Sequence, residues 1–573
     1  MEDRTMKNTL KTILIAVASV SLASSCIQET FPMEGAATSE QLAQSAAGMA
    51  ASVDGLVAQI YQPYYFYGSS NQLEYDMSYS GMLITYARMT NDIVNNSSTE
   101  GYDWWTGYCG SYGYSMKYNS SRQTVPFMTL YKIIKSTNDI IGPLASLEEL
   151  NADQKAYLGT AYVYRALMYH DVYNLYLPVA NDYTDVSKVE GLTGPIIVSS
   201  AEQETEYKTA RAPKEVMSAF VISDLDKAEE LLADYVPATG RYPGLPVVYG
   251  LKARMYMAME DYANAAIYAR KAIDASGKTP LTSDQWHDPA TAFCDAAGNN
   301  SWMWYYNISG NNMGNLCNPT GFLAGESDWG YNSLTQIGIH RWMYDRMNRT
   351  DFRKRSFIDP DRETYTADYY EWADQTGYLK SYPFEELPDY KSLKIRCKGG
   401  DWQTYSVGGA ADWPMMRVEE MYLIEAEAVG MSKSEEEGAA LLEAFMQEYR
   451  DPAYTYKQAS SKFNSSFVNN FQEEVLFQKR VEFWGEGVGF FDAKRIKPGV
   501  HTWYEGSNVI HSTLKYNYDG ASPYWNFLIP ESEIENNDYI LKEDGVVTEI
   551  DGVKTTLNNP DPTSSVENDA TQY

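Results

Sequence analysis

The stretch "VYGLKARMYMAMEDYANAAIYARKAIDASG", residues 248–277, decides how the fold of this 573-residue chain is read. Tyr249, Ala253 and Tyr256 recur at helical spacing in its first half, and Ala265, Ala269 and Ala272 do so in its second. Each half therefore predicts a helix with one packed face. Small side chains on that face let two helix axes come close, so the stretch predicts an antiparallel pair. Glu260 falls at the turn between the halves, and Tyr262 packs across it.

The same spacing extends in both directions. Leu42, Ala46, Met49, Val53, Leu56 and Ile60 predict a helix over 41–67, and further helices are predicted at 120–142 and 213–234. In 152–174, Tyr157, Ala161, Tyr164, Leu167, Met168 and Val172 share one face. Two more helical regions follow at 415–450 and 463–486. The alanine pattern of 248–277 resembles a tetratricopeptide helix pair, with Glu260 departing from the small residue usual at that turn. The pairs are scattered and form no contiguous solenoid. Residues 277–412 are rich in Gly, Asn, Trp and Tyr with few periodic runs, and a compact domain keeps so long an irregular stretch when its loops do something. The partition is a signal at 1–25, a tether at 26–40 and a single domain at 41–573. Within that domain, 41–276 and 413–500 form the helical scaffold and 277–412 a loop-rich insert. Beyond Asn537 the polar tail predicts an extended segment.

Composition narrows the function. Hydrophobic residues are 44% and charged residues 21%, a globular balance. A formal net charge of −31 excludes nucleic acid and anionic lipid as natural ligands. The chain carries 48 Tyr and 13 Trp, rigid side chains that suit binding surfaces. At the N-terminus, Lys7 and Lys11 precede an apolar run from Ile13 to Val20, too short to span a bilayer, and then Ala23, Ser24, Ser25 and Cys26. Small residues before a cysteine resemble a bacterial lipoprotein lipobox, which implies cleavage before Cys26 and a lipid anchor on it. Cys109, Cys294, Cys317 and Cys397 would pass through an oxidising compartment, where one or two disulfides in any of three full pairings are open. There is no CxxC, and His170, His287, His340, His501 and His511 form no HxxxH pair, so no metal or cofactor is expected.

Five blocks then converge on a family: "YRALMYHDVYNLYLPVAND" (164–182), the helix pair within 245–276, "WPMMRVEEMYLIEAEAVG" (413–430), "EVLFQKRVEFWGEGVGFFDAKRIKPG" (474–499) and "NFLIPESEIENND" (526–538). In order and spacing the chain resembles the SusD/RagB nutrient-binding outer-membrane lipoproteins of Bacteroidetes. Gln478-Lys479-Arg480, Gly489 and Ala493 depart from the family pattern. The resemblance implies an all-α fold, with tetratricopeptide-like helix pairs as scaffold and a long loop-rich side that holds the ligand. It implies no enzyme and no cofactor. The partners implied are a glycan, or in some members a peptide, and a SusC-like TonB-dependent outer-membrane transporter that the protein covers and feeds. Localisation would be the outer membrane at the cell surface, through the lipid on Cys26. The residues add scaffold expectations: Arg417, Glu420 and Glu427 sharing a helix face as an ion-pair network, Glu482 and Glu486 paired by Arg480 and Arg495, and "GEGVG" breaking a helix.

A sugar ring offers an apolar face ringed by hydroxyls, so its site needs flat aromatics with a few polar groups. Three segments qualify. In 101–118 the candidates are Asp103, Trp104, Trp105, Tyr108 and Tyr112, with Trp104 turned outward. In 299–312, Trp302, Trp304 and Tyr306 alternate and so share a face of an extended chain. In 325–332 they are Trp329 and Tyr331. Arg88 and Asp92 supply polar partners. Trp484 and Trp525 lie in family blocks and are expected to be structural. A glycoside hydrolase would need two carboxylates across a cleft, but no nucleophile elbow or HExxH motif accompanies the acidic residues. A peptide-binding member would rely on strand pairing or charged pockets in place of stacked indoles.

Overall fold

The computed structural model describes residues 45–62, 77–90, 92–95, 120–198, 210–310, 318–457, 469–510, 515, 517–537, 548–550, 553–556 and 558–562. The scaffold is helical. Its first helices are α1 (Ala46–Ala58), α2 (Tyr79–Met89), α3 (Ser121–Ala145), α4 (Ala152–Tyr176), α5 (Lys214–Leu231), α6 (Leu245–Ala258) and α7 (Tyr262–Ser276). After the insert come α8 (Val418–Ser432), α9 (Glu435–Tyr449), α10 (Asn470–Glu482) and α11 (Gly489–Ile496). α1 stops at Ala58, short of the predicted 67, and residues 63–67 lie outside the described set.

Local chemistry explains the boundaries. Asn151 and Gln154 form a reciprocal cap at the start of α4, with N···O distances of 2.9 and 3.0 Å. α4 is buried on nearly every side, between α3 and α5, and so shows no amphipathic stripe. At its far end the Lys494 amine donates to the carbonyls of Asn174 (2.7 Å) and Leu175 (2.9 Å), satisfying two acceptors at the end of the helix. α6 and α7 form the predicted pair, with Ala265, Ala269 and Ala272 fully buried where α7 meets α6 and α8. Glu260 sits at φ +59°, a left-handed position that disfavours any side chain, which accounts for the small residue expected there.

The predicted helical region 415–450 is instead a strand and two helices. β1 (Ile93–Asn95) pairs antiparallel with β3 (Ile337–Ile339), and β2 (Trp302–Tyr306) pairs with β4 (Trp413–Arg417). Arg417 thus ends a strand and does not share a helix face with Glu420 and Glu427. Its fully buried guanidinium meets Glu482 at 3.0 Å, Glu486 at 2.9 Å and Glu419 at 3.1 Å. Glu420 pairs with Arg254 (2.6 Å) and Glu427 with Arg495 (2.8 Å). The partners expected for Glu482 and Glu486 are also corrected: Arg450, Arg417, Arg353 and Lys394 take that place, while Arg480 pairs with Asp92. In "GEGVG", Gly487 has φ +82° and a Cβ there would stand 2.4 Å from the Leu83 carbonyl oxygen, so only glycine fits between α10 and α11.

The C-terminal segment is not simply an extended tail. Thr548–Ile550 and Val553–Thr555 form a hairpin, and Asp561–Pro562 pairs with Thr184–Asp185. Arg211, fully buried, fastens it by donating to the Asn558 carbonyl (2.9 Å) and Asn559 Oδ1 (3.0 Å), and also to the Tyr176 carbonyl (3.1 Å). Among the described residues no helix is long and apolar enough to cross a membrane.

Candidate functional site

The structure redistributes the expected ligand residues. Trp302, Trp304 and Tyr306 are core residues, at 1%, 0% and 2% exposure, and so are not ligand contacts. Alternation fails because β2 is packed on both faces and its pairing with β4 shifts register on either side of Trp304. The Trp304 ring meets Tyr164 edge-on at 5.2 Å and its Nε1 donates to the Arg241 carbonyl at 3.2 Å. Tyr306 stacks on Tyr61 at 5.4 Å. Trp484 and Trp525 are buried as expected, at 0% and 1% exposure.

Asp92 is likewise structural. Its carboxylate is ion-paired with Arg480 and accepts from the Thr90 hydroxyl at 2.6 Å. Its carbonyl accepts from Trp484 Nε1 (2.8 Å) and from the His340 amide (3.1 Å). Burial pushes the Asp92 carboxyl up, opposed by Arg480 and Thr90. Both carboxylate oxygens and the carbonyl of Asp92 thus accept from the protein itself. Asp103, Trp104, Trp105, Tyr108, Tyr112 and the anchor residue Cys26 lie outside the described residues, as do Cys109 and Cys317. Cys294 and Cys397 are buried free thiols.

Arg88 and Trp329 do come to one region. The Arg88 guanidinium lies 5.7 Å from the Phe322 ring centre, and Phe322 stacks on half-buried Tyr331 at 4.9 Å. Arg88 is buried, so it supports this stack from below and does not reach solvent. Gly330 passes so close to Gly321 that a Cβ would stand 2.4 Å from its carbonyl oxygen. That contact fixes the 325–332 loop, on which Trp329 is half-buried with Nε1 unpartnered among the described residues. After the short helix Asn332–Thr335, β3 pairs Ile337 with Asn95, the last described residue before 101–118.

Beside this loop lies a cluster that sequence reasoning missed. Tyr378, Tyr382 and Trp402 form a three-ring group, with centroids 5.1, 5.8 and 5.7 Å apart. Tyr378 and Trp402 are buried at 3% and 7% exposure, and Tyr382 caps them at 39%. The group is tied to the 325–332 loop: Tyr378 Oη donates to the Gly325 carbonyl (3.0 Å) and the Asp328 amide to the Trp402 carbonyl (3.1 Å). Trp402 Nε1 donates to the Thr376 carbonyl at 3.3 Å, which sets the indole plane. On the segments that carry or bond to these rings, Asp328, Gln403 and Thr404 are exposed and Asp401 is half-buried, with Tyr405 at 44% and Val407 at 48% exposure. Burial, and then the Asp328 carboxylate, push the Tyr382 phenol up. The result is a flat aromatic face on a rigid base, edged by hydrogen-bonding groups. The legible signal was "DWQTY" (401–405), two aromatics spaced by polar residues. Among the described residues no three His, Cys, Asp or Glu converge as a metal site.

A helical scaffold that presents an aromatic surface from a fastened loop insert defines a class of binding proteins. Residues 361–545 match the SusD family, and residues 42–257 match a family described as starch-binding associating with outer membrane. A SusD-like carbohydrate binding protein from Bacteroides vulgatus is similar at 17% identity and a TM-score of 0.64, covering 87% of this chain and 97% of its own. A SusD superfamily protein from Bacteroides thetaiotaomicron is similar at 17% identity and a TM-score of 0.61, covering 86% and 98%. Surface glycan-binding protein A from Bacteroides thetaiotaomicron, solved with laminarihexaose, is similar at 14% identity and a TM-score of 0.58, covering 86% and 97%. No curated protein matches the chain. The chain belongs to the SusD/RagB family.

Proposed function

We propose that this protein is a glycan-binding lipoprotein of the cell surface, held in the outer membrane by lipid on Cys26. It captures an oligo- or polysaccharide and passes it to a SusC-like TonB-dependent transporter without cleaving it. The observation that carries the reading is Tyr382, exposed over the buried pair Tyr378 and Trp402, with Asp328 hydrogen-bonded to Trp402 through its amide and Asp401 beside Trp402 in the chain. A half-exposed ring on a fixed aromatic base can stack on a pyranose face without first losing side-chain freedom. The relative solved with laminarihexaose supports glycan as the ligand class. Trp329 and Tyr331 lie on the 325–332 loop bonded to this group, and Asp103, Trp104 and Tyr108 are kept in the proposal as ligand residues on their sequence alone.

The test is calorimetric titration of neutral oligosaccharides into the soluble chain lacking residues 1–26. Tyr382→Ala is expected to weaken the glycan that binds by about tenfold, or ~1.4 kcal/mol. Unchanged affinity in a folded Tyr382→Ala protein refutes the site. Reducing ends released on incubation would overturn the non-catalytic reading, and retention in the membrane fraction after Cys26→Ala would overturn the anchor. Failure to co-purify with a large barrel would count against delivery.

A further inference from the structure

Charge around the Tyr382 platform is unbalanced in one direction. On the segments that build it, most charged groups are matched: Glu326 with Arg396 at 2.5 Å, Asp374 with Lys380 at 2.9 Å, and Lys398 with Asp412 at 3.2 Å. Asp328 and Asp401 form no ion pair among the described residues. Both are held in place. The Asp328 amide is bonded to the Trp402 carbonyl at 3.1 Å, and Asp401 Oδ1 accepts from the amides of Gln403 (3.2 Å) and Thr404 (2.8 Å). The amide hydrogen bond to Trp402 brings Asp328 beside the chain neighbour of Asp401, and burial first, opposed by a backbone hydrogen bond, with Asp401 adding to it, pushes the Asp328 carboxyl up.

We propose that Asp328 and Asp401 make the platform selective for uncharged glycans, rejecting chains that carry uronate or sulfate groups over Tyr382. This rests on the reading of that platform as the glycan site. An ionised carboxylate only accepts hydrogen bonds, and each hydroxyl of a neutral sugar can donate one. An anionic substituent at the same place has no proton to offer and meets two like charges, while the cations described on these segments, Lys380 and Lys398, are already paired with Asp374 and Asp412. Such built-in repulsion separates similar ligands more sharply than an added contact does. The long-range field of a chain with net charge −31 acts in the same sense on approach.

The experiment compares one glycan in two forms. A neutral oligosaccharide that binds the mature protein is titrated beside the same oligosaccharide with its primary alcohols oxidised to carboxylates. The oxidised form is expected to bind about tenfold more weakly at low ionic strength, with the gap narrowing as salt screens the charges. In Asp328→Asn/Asp401→Asn the neutral-to-oxidised ratio is expected to fall to about threefold or less, because Asn keeps the acceptor oxygen and removes the charge. Circular dichroism and a melting curve establish that the variant is folded. Equal affinity for both forms in the parent protein overturns the selectivity, as does an undiminished ratio in the folded double variant. If neutral binding is absent, or is indifferent to Tyr382→Ala, the platform reading itself falls and takes the selectivity with it. That outcome is distinct because it appears with the neutral glycan alone.

Discussion

Glu482→Gln is the sharpest test of the scaffold. Glu482 is fully buried and accepts from Arg450 through both oxygens, at 2.7 and 2.8 Å, as well as from Arg417 at 3.0 Å and Arg353 at 3.3 Å. The surrounding cluster balances: Arg353, Arg417, Arg450 and Lys394 stand against Asp351, Glu419, Glu482 and Glu486. Replacing Glu482 by the isosteric amide leaves one cation unmatched in the core. Breaking a buried pair in this way costs ~3–5 kcal/mol, a large share of a typical total stability. At about 2 cal/mol/K of unfolding entropy per residue, a chain this long should lose roughly 3–5 °C in melting temperature. The assays are calorimetric melting and guanidinium unfolding, where the midpoint should fall with an unchanged slope. The pH profile supplies an independent check. Burial pushes the Glu482 carboxyl up, but the Arg450 and Arg417 guanidiniums overcome it and hold the group well below the usual carboxylate range. A depressed folded pKa stabilises the protein above the unfolded value, near 4.3, and that stabilisation is lost as pH falls toward the folded value. The gap between parent and variant should therefore be full at pH 7, persist to about pH 5 and narrow progressively below about pH 4. A loss under about 1 kcal/mol, or a gap that stays constant down to pH 3, refutes the account.

Trp304→Ala is expected to cost ~3–5 kcal/mol and leave the glycan affinity of the folded protein unchanged, because the indole is fully buried against Tyr164. Melting curves paired with titration check this, and lost affinity in folded protein would return Trp304 to the ligand site. Glu260→Gly should stabilise by about 0.5–1 kcal/mol, since φ +59° at the α6–α7 turn is costly for any side chain. A lowered urea midpoint would show that the Glu260 side chain makes a compensating contact.

Helices were legible where the signal is local. The spacing of Ala265, Ala269 and Ala272 sits within two turns of chain, and the structure buries all three. The extent of α4 was legible from the apolar spacing within 152–174, and the structure adds the cap of Asn151 and Gln154 at its start. Ion-pair partners were not, since charge says that a buried Glu needs a cation without saying which. Arg417 reaches Glu482 across 65 positions, and Arg480 reaches Asp92 across 388. The same limit misplaced Trp302 and Trp304. Alternation says which side chains share a face, but a strand covered on both sides has no outer face to offer. The Tyr382 platform lay hidden for a further reason: its three rings come from two segments and touch only after the chain folds back.

Burial of β2 and exposure of Tyr382 belong to one design. β2 and β4 are antiparallel neighbours, with Tyr306 opposite Trp413, so residues 307–412 begin and end at adjacent positions. The indoles of Trp302, Trp304 and Trp413, each at 1% exposure or less, anchor that seam. Their contribution is to hold the two ends of the insert at a fixed separation, which lowers the entropy lost when the insert folds. A loop region whose ends are fixed can present a ring such as Tyr382 on a base made from its own side chains, Tyr378 and Trp402. The helical scaffold then need not change when the ligand does. Substitutions at Asp328, Tyr382 or Tyr405 should alter which glycan binds while the charge cluster around Glu482 keeps the helices in place. Substitutions in the β2–β4 seam should instead weaken the whole protein before they change what it recognises.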